Sequence, residues 1–246
     1  MPRKLRAFFA GWAILLCAAI AAAPANAATP GNYTYTVQGG ATFPLLTTGL
    51  IIPFAGQTDD TTVLMTTSST RPFRLPFALH VYGHNYSSVR VSSNGNLQFG
   101  GANSAAFTNN ALPDSQFSTG GANATLFPFW DDLYFVPSDT GHFFNEGIFT
   151  KTSGVAPNRT FVISWQGHAF NSESYFVLVQ AVFKESSQTI RYRYGSRDNQ
   201  TSGAPSETIG AQFISPTIAS DFLQIAFNPA PPGAVAPGTQ FILTHH

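Results

Sequence analysis

The clearest structural signal in this chain is the segment VRVSSNGNLQF at residues 89 to 99. Apolar residues alternate with polar ones on both sides of Asn94-Gly95. An Asn-Gly pair between two alternating runs is the strongest short-range signal for a β-hairpin, because both positions of a tight two-residue turn need a positive φ. The segment therefore predicts two antiparallel strands joined by a turn at Asn94-Gly95.

The same period of two recurs along most of the chain. Tyr192 and Tyr194 alternate with Arg191 and Arg193, for example, which is typical of a strand with one face in a core. No segment beyond residue 27 combines helical spacing with helix caps. Many short strands separated by turn residues predict an all-β fold, an antiparallel β-sandwich of jelly-roll-like type. Strands are predicted at 33–37, 61–66, 73–81, 143–150, 161–165, 175–183, 190–194, 208–214, 223–227 and 240–244.

The first 27 residues have the pattern of a secretory signal peptide. Basic residues come first, an apolar run follows, and Ala25-Asn26-Ala27 has the small residues of a cleavage site. We therefore expect a signal peptide at 1–27 and a single β-sandwich domain at 28–246, with no membrane span in the mature chain. The predicted location is secreted or extracellular, with the periplasm and the cell surface as alternatives.

The charge composition of the chain limits the classes of partner that it can bind. After residue 27 the chain has nine Lys and Arg against 12 Asp and Glu, and its single cysteine lies before that point. A slightly acidic chain with no run of basic residues argues against nucleic acid or an anionic membrane surface as the partner.

A second motif, LFPFWDDL, occupies residues 126 to 133. Pro128 has no N–H to donate, so this segment should be an edge strand or a break in a ladder of hydrogen bonds. Alternation predicts that Phe127 and Phe129 enter the core. Trp130 should then lie on the other face, beneath the polar loop at 100–121, with Asp131 or Asp132 capping backbone N–H groups there.

The acidic pair in this motif leaves three interpretations open. Asp131 and Asp132, together with Asp139, could bind Ca²⁺ through oxygen ligands. Asp131, Asp132 and Glu146 could instead serve as the carboxylates of a polysaccharide hydrolase. Turn capping by an aspartate is the structural alternative. No cofactor is predicted, with Ca²⁺ as the one cation these acids could take.

Other catalytic signatures are missing from the sequence, which has no nucleophile elbow, phosphate loop or HExxH motif. The chain is therefore predicted not to be an enzyme. Loop aromatics could stack on sugar rings, and Tyr86, Phe107 and Tyr134 are the candidates for ligand binding. Trp130 and Trp165 lie in apolar strands and are expected in the core.

The two motifs, in this order and spacing, resemble the nidogen-like (NIDO-type) β-sandwich modules of secreted bacterial proteins and of animal matrix proteins. Segments 160–165, 176–183 and 190–195 extend the resemblance, which covers about residues 60 to 215. It implies a NIDO-like sandwich and an extracellular interaction module without known catalysis.

The predicted function is therefore a secreted, non-catalytic module that binds an extracellular glycan or a matrix or cell-surface protein, in an adhesion-type role. The alternatives are the secreted hydrolase described above and a structural subunit of a surface layer.

Overall fold

The computed structural model describes residues 33–53, 59–135, 146–170, 172–187, 189–195, 206–217, 220–229 and 235–246. The predicted signal peptide and Asp139 lie outside these residues. The strands are Tyr33–Gln38 (β1), Leu50–Pro53 (β2), Thr62–Thr66 (β3), Leu79–Val81 (β4), His84–Tyr86 (β5), Ser88–Ser92 (β6), Leu97–Gln98 (β7), Asn123–Trp130 (β8), Leu133–Tyr134 (β9), Gly147–Ser153 (β10), Thr160–Ala169 (β11), Ser172–Lys184 (β12), Thr189–Tyr194 (β13), Thr208–Ile214 (β14), Asp221–Phe227 (β15) and Gln240–His245 (β16).

Two antiparallel sheets form a sandwich, as predicted. The larger sheet has the order β1-β16-β13-β12-β11-β10-β2, and β9 pairs with the far end of β11. The smaller sheet has the order β15-β14-β8-β7-β6-β3, and β4 and β5 make a separate pair. Within the described residues the only helical element is a 3-10 turn at Ser115–Phe117, and no helix there is long and apolar enough to cross a membrane.

Tyrosine and tryptophan side chains connect the two sheets. The hydroxyl of Tyr192 donates to the carbonyl of Gly210 at 2.9 Å, and the indole N–H of Trp165 donates to the carbonyl of Ser92 at 2.8 Å. A buried polar tip must find a partner, and here each tip finds a carbonyl of the opposite sheet. Trp165 is fully buried, which confirms its predicted place in the core.

The predicted hairpin is present as β6 and β7, but its turn differs from the prediction. Ser92 N–H bonds to the carbonyl of Asn96, so the loop contains three residues rather than two. Gly95 has a φ of +70°, whereas Asn94 is not among the residues with positive φ. A three-residue hairpin loop needs one left-handed position, and glycine supplies it.

The prediction that Phe127 enters the main core is wrong, because β8 contains an irregularity in its pairing with β14. Thr208 of β14 pairs with Trp130 while Gly210 pairs with Phe127, so β8 has one extra residue between these pairs. This bulge reverses the alternation, and Phe127 therefore joins Trp130 in a second buried cluster while Phe129 enters the main core. The break at Pro128 is confirmed, and the Tyr194 hydroxyl donates to the Pro128 carbonyl at 2.7 Å.

The long loop at 100–121 covers the outer face of the smaller sheet. Leu112 and Phe117 from the loop pack on Phe127 and Trp130, and the Trp130 N–H donates to the carbonyl of Ala106 at 2.8 Å. The predicted position of Trp130 beneath this loop is thereby confirmed.

Candidate functional site

The buried hairpin turn organises the acidic residues at one end of the sandwich. Asn94 is fully buried, and its side chain makes both of the bonds that matter here. Its Nδ2 donates to Asp60 Oδ1 at 2.8 Å, and its Oδ1 accepts the N–H of Leu133 at 3.1 Å. The Ser93 N–H donates to the Thr61 carbonyl at 2.9 Å and the Thr61 N–H donates to the Ser93 hydroxyl at 3.0 Å, which holds the segment before β3 against the same turn. The turn therefore brings the segment before β3 next to the segment after β8.

Three aspartates meet beside this turn. One carboxylate oxygen from each of Asp59, Asp60 and Asp132 lies within 4.8 Å of the others. Burial, followed by the charges of Asp59 and Asp60, raises the pKa of Asp132 to about 6. Carboxylate oxygens are the ligands of hard cations, so these residues offer three of the six to eight oxygens that Ca²⁺ takes.

Asp131 lies in a different environment from Asp132. Its carboxylate accepts the N–H of Asp132 at 2.9 Å, which confirms the predicted capping, and accepts the hydroxyl of Ser206 at 3.2 Å. The Thr208–Trp130 pair places Glu207 across the ladder from Asp131. Of the three residues predicted to bind Ca²⁺, the structure places Asp132 in an acidic cluster and Asp131 outside it.

Glu207 and Asp131 form a buried pair of acids. Both oxygens of Glu207 are buried and accept no hydrogen bond in the described part of the chain. Burial raises the pKa of Asp131 to about 7, and burial together with the charge of Asp131 raises the pKa of Glu207 to about 8. The two carboxyl groups therefore titrate as a coupled pair, in which the negative charge of one opposes ionisation of the other.

Glu146, the third acid of the hydrolase interpretation, is bound elsewhere. It is fully buried, and its Oε2 lies 3.1 Å from Nδ1 of His168, which is also fully buried. A hydrolase needs two carboxyl groups facing each other across an open cleft. The structure gives Asp131, Asp132 and Glu146 three different sets of neighbours.

The three aromatic residues predicted to bind ligand are not brought together. The ring of Tyr86 packs on Phe99, and the ring of Tyr134 lies 6.1 Å from Phe170. Phe107 is exposed on the loop that covers the smaller sheet. No ring contact joins any of these three residues to another among the residues described.

A groove elsewhere on the molecule contains basic side chains. It has a volume of about 810 Å³ and lies between the segment before β2, the segment at 71–76 and the β10–β11 hairpin. Arg71, Arg74 and Lys151 line it and are exposed, and no ion pair is found for any of them within the described residues. We call this feature the basic groove.

The fourth basic residue of the groove is already paired. Arg159 donates to both carboxylate oxygens of Glu185, at 2.7 and 2.6 Å, and its guanidinium lies 5.3 Å from the centre of the Phe77 ring. The hydrogen bonds with Arg159 lower the pKa of Glu185. Arg159 thus forms a fixed wall of the groove, while the three exposed cations are available to a ligand.

Sequence reasoning missed both the acidic cluster and the basic groove. Asp59 and Asp60 form the second adjacent acidic pair of the chain, and antiparallel pairing of β3 with β6 puts this pair beside the Asn94 turn. The adjacent position of Asp59 and Asp60 was the one sequence feature that could have indicated the acidic cluster. The groove has no comparable signal, because its residues come from three separate segments.

One of the comparisons with known proteins identifies a family for this chain. The sequence matches a family model described as NIDO related over residues 29–236, and the chain therefore belongs to that family. The match extends beyond the region at 60–215 that carries the resemblance. Comparison with curated proteins and with solved structures gave no match.

Proposed function

We propose that this NIDO-related protein is a non-catalytic extracellular module that binds a partner through the basic groove. Family membership supports an extracellular β-type module. The observation that carries the proposal is the groove itself, which combines ligand-site dimensions with three exposed cations that form no ion pair within the described residues.

The distribution of acids supports binding over hydrolysis. Glu146 is fully buried, and Asp131 and Asp132 face different neighbours, so the predicted catalytic set does not share a cleft among the residues described. The polysaccharide-hydrolase alternative remains testable by assaying reducing ends released from a panel of polysaccharides. Release that is lost in Asp132→Asn would contradict the proposal.

The direct test is a binding panel with two variants of equal net charge. The groove variant carries Arg71→Gln, Arg74→Gln and Lys151→Gln, and the control variant carries Arg90→Gln, Lys184→Gln and Arg191→Gln. We expect the wild-type chain from Ala28 to bind one or more extracellular glycans or matrix proteins, the groove variant to bind weakly, and the control to bind normally. Absence of binding across the panel would overturn the proposal. Light scattering on the same sample tests the surface-layer alternative, which requires self-association.

A further inference from the structure

The basic groove contains a larger share of the positive charge than other parts of the described surface. Four of the nine Lys and Arg that follow residue 27 line it, in a chain that is slightly acidic overall. No Asp or Glu is found among the described residues that line the groove. Like charges without partners repel each other, and a low-dielectric wall focuses their field into the cleft.

The arrangement of these cations suits an elongated anion. Arg71 and Arg74 come from the segment after β3, and Lys151 comes from β10 on another wall of the groove. Each guanidinium has a planar fork of donors that matches a carboxylate or a sulfate in bidentate fashion. A chain with several acidic groups can contact cations on separate walls at the same time, whereas a single small ion cannot.

The remaining lining favours a polyhydroxylated ligand over a protein or a nucleic acid. Thr48, Thr150 and Thr152 also line the groove, and a threonine hydroxyl can donate and accept hydrogen bonds, although that of Thr150 already donates to the carbonyl of Gly49. Among the described residues that line the groove, Phe161 is the one aromatic, and it is buried. Protein hot spots combine Arg with Trp and Tyr, and single-stranded nucleic acids need exposed aromatic rings for their bases to stack on, whereas the described lining offers no exposed aromatic ring.

We propose that the basic groove binds a segment of an acidic polysaccharide, with Arg71, Arg74 and Lys151 contacting its carboxylate or sulfate groups. This inference rests on the proposed function and names its ligand class. The groove volume of about 810 Å³ lies in the upper part of the range for small-molecule sites, about 300 to 1,000 Å³. Arg159 is hydrogen-bonded to Glu185, so we assign it a structural role in the groove wall and no contact with the ligand.

The test is isothermal titration of the chain from Ala28 with polygalacturonate, heparin oligosaccharides and neutral dextran of similar length. We expect binding to one or both acidic chains and none to dextran, and comparison of the two identifies carboxylate or sulfate as the preferred group. Affinity should fall markedly between about 50 mM and about 300 mM NaCl, because exposed charges are screened over a shorter distance at high salt.

The two equally charged variants locate the site. Losing three charge-assisted contacts should weaken binding by at least about tenfold in the groove variant, while the control variant should stay within about twofold of the wild type. Lys151→Gln alone should weaken binding by about threefold or more, which keeps the test valid if the triple variant fails to fold.

The outcomes separate the two proposals. Equal weakening in both triple variants would overturn the inference, because only net charge would then matter. Binding to dextran, to a matrix protein or to a DNA oligonucleotide in place of the acidic glycans would also overturn it. A protein or dextran ligand lost only in the groove variant would leave the proposed function standing. Failure to bind any member of the panel would overturn both.

Discussion

Replacement of Glu207 by Gln should remove a large part of the pH dependence of stability. The folded state raises the pKa of this carboxyl from 4.5 to about 8, mainly by burial. Between these two values the folded state holds a proton that the unfolded state releases, so the free energy of unfolding falls as pH rises. At about 1.4 kcal/mol for each pKa unit, the loss between about pH 5 and about pH 8.5 amounts to about 4 kcal/mol.

The amide of Gln cannot ionise, so the variant lacks this contribution. Near pH 5 the folded wild type holds Glu207 protonated, and the two proteins should differ by less than about 1 kcal/mol because the side chains have the same shape. At about pH 8.5 the variant should be more stable than the wild type by several kcal/mol. Asp131 is present in both proteins, so the difference between the two curves reports Glu207 together with its coupling to Asp131.

Urea unfolding at several pH values measures the effect directly. Trp130 and Trp165 are fully buried, and their fluorescence reports loss of the core. Glu185→Gln is the matched control, because the pKa of Glu185 is lowered and its titration lies below the measured window. Parallel stability curves for the wild type and Glu207→Gln would refute the assignment of Glu207 as a carboxyl held neutral by burial.

Three further predictions concern the hairpin turn, the covered cluster and the acidic cluster. Trp130→Ala should cost about 3 to 5 kcal/mol, as for other buried large aromatics, and an unchanged melting temperature would contradict its structural role. Gly95→Ala should strongly lower the free energy of unfolding, because φ is +70° and an added Cβ would overlap the carbonyl oxygen of Phe129. Gly120 also has a positive φ but has open space around it, so the control Gly120→Ala should lower the free energy of unfolding by only about 1 to 2 kcal/mol. Asp132→Asn should raise the melting temperature near pH 8 but not near pH 5, since its pKa is raised to about 6. Added Ca²⁺ should raise the melting temperature of the wild type and not that of Asp132→Asn, and an unchanged wild type would make the calcium prediction wrong.

Local alternation predicted the sandwich and most of its strands, but it missed β2 and placed a strand over 73–81 where only Leu79–Val81 forms one. In β13 the inward positions Ile190, Tyr192 and Tyr194 are buried and the arginines between them are partly exposed, as the period of two requires. The hairpin at 89–99 was also visible, because its turn residues are adjacent in the chain. The prediction for Phe127 failed because a bulge in β8 depends on how that strand pairs with β14, about 80 residues later.

The candidate sites depend on contacts that no local pattern contains. Asp59 and Asp60 meet Asp132 because β3 pairs with β6 and the Asn94 turn lies against the end of β8. The basic groove joins residues near 49, 72 and 151, and its Lys and Arg residues lie in two distant segments, 71–74 and 151–159, so no basic run in the sequence marks it. The side-chain period of a strand is encoded within a few residues, whereas the distance between two charges on different strands is set only when the sheets pair and pack.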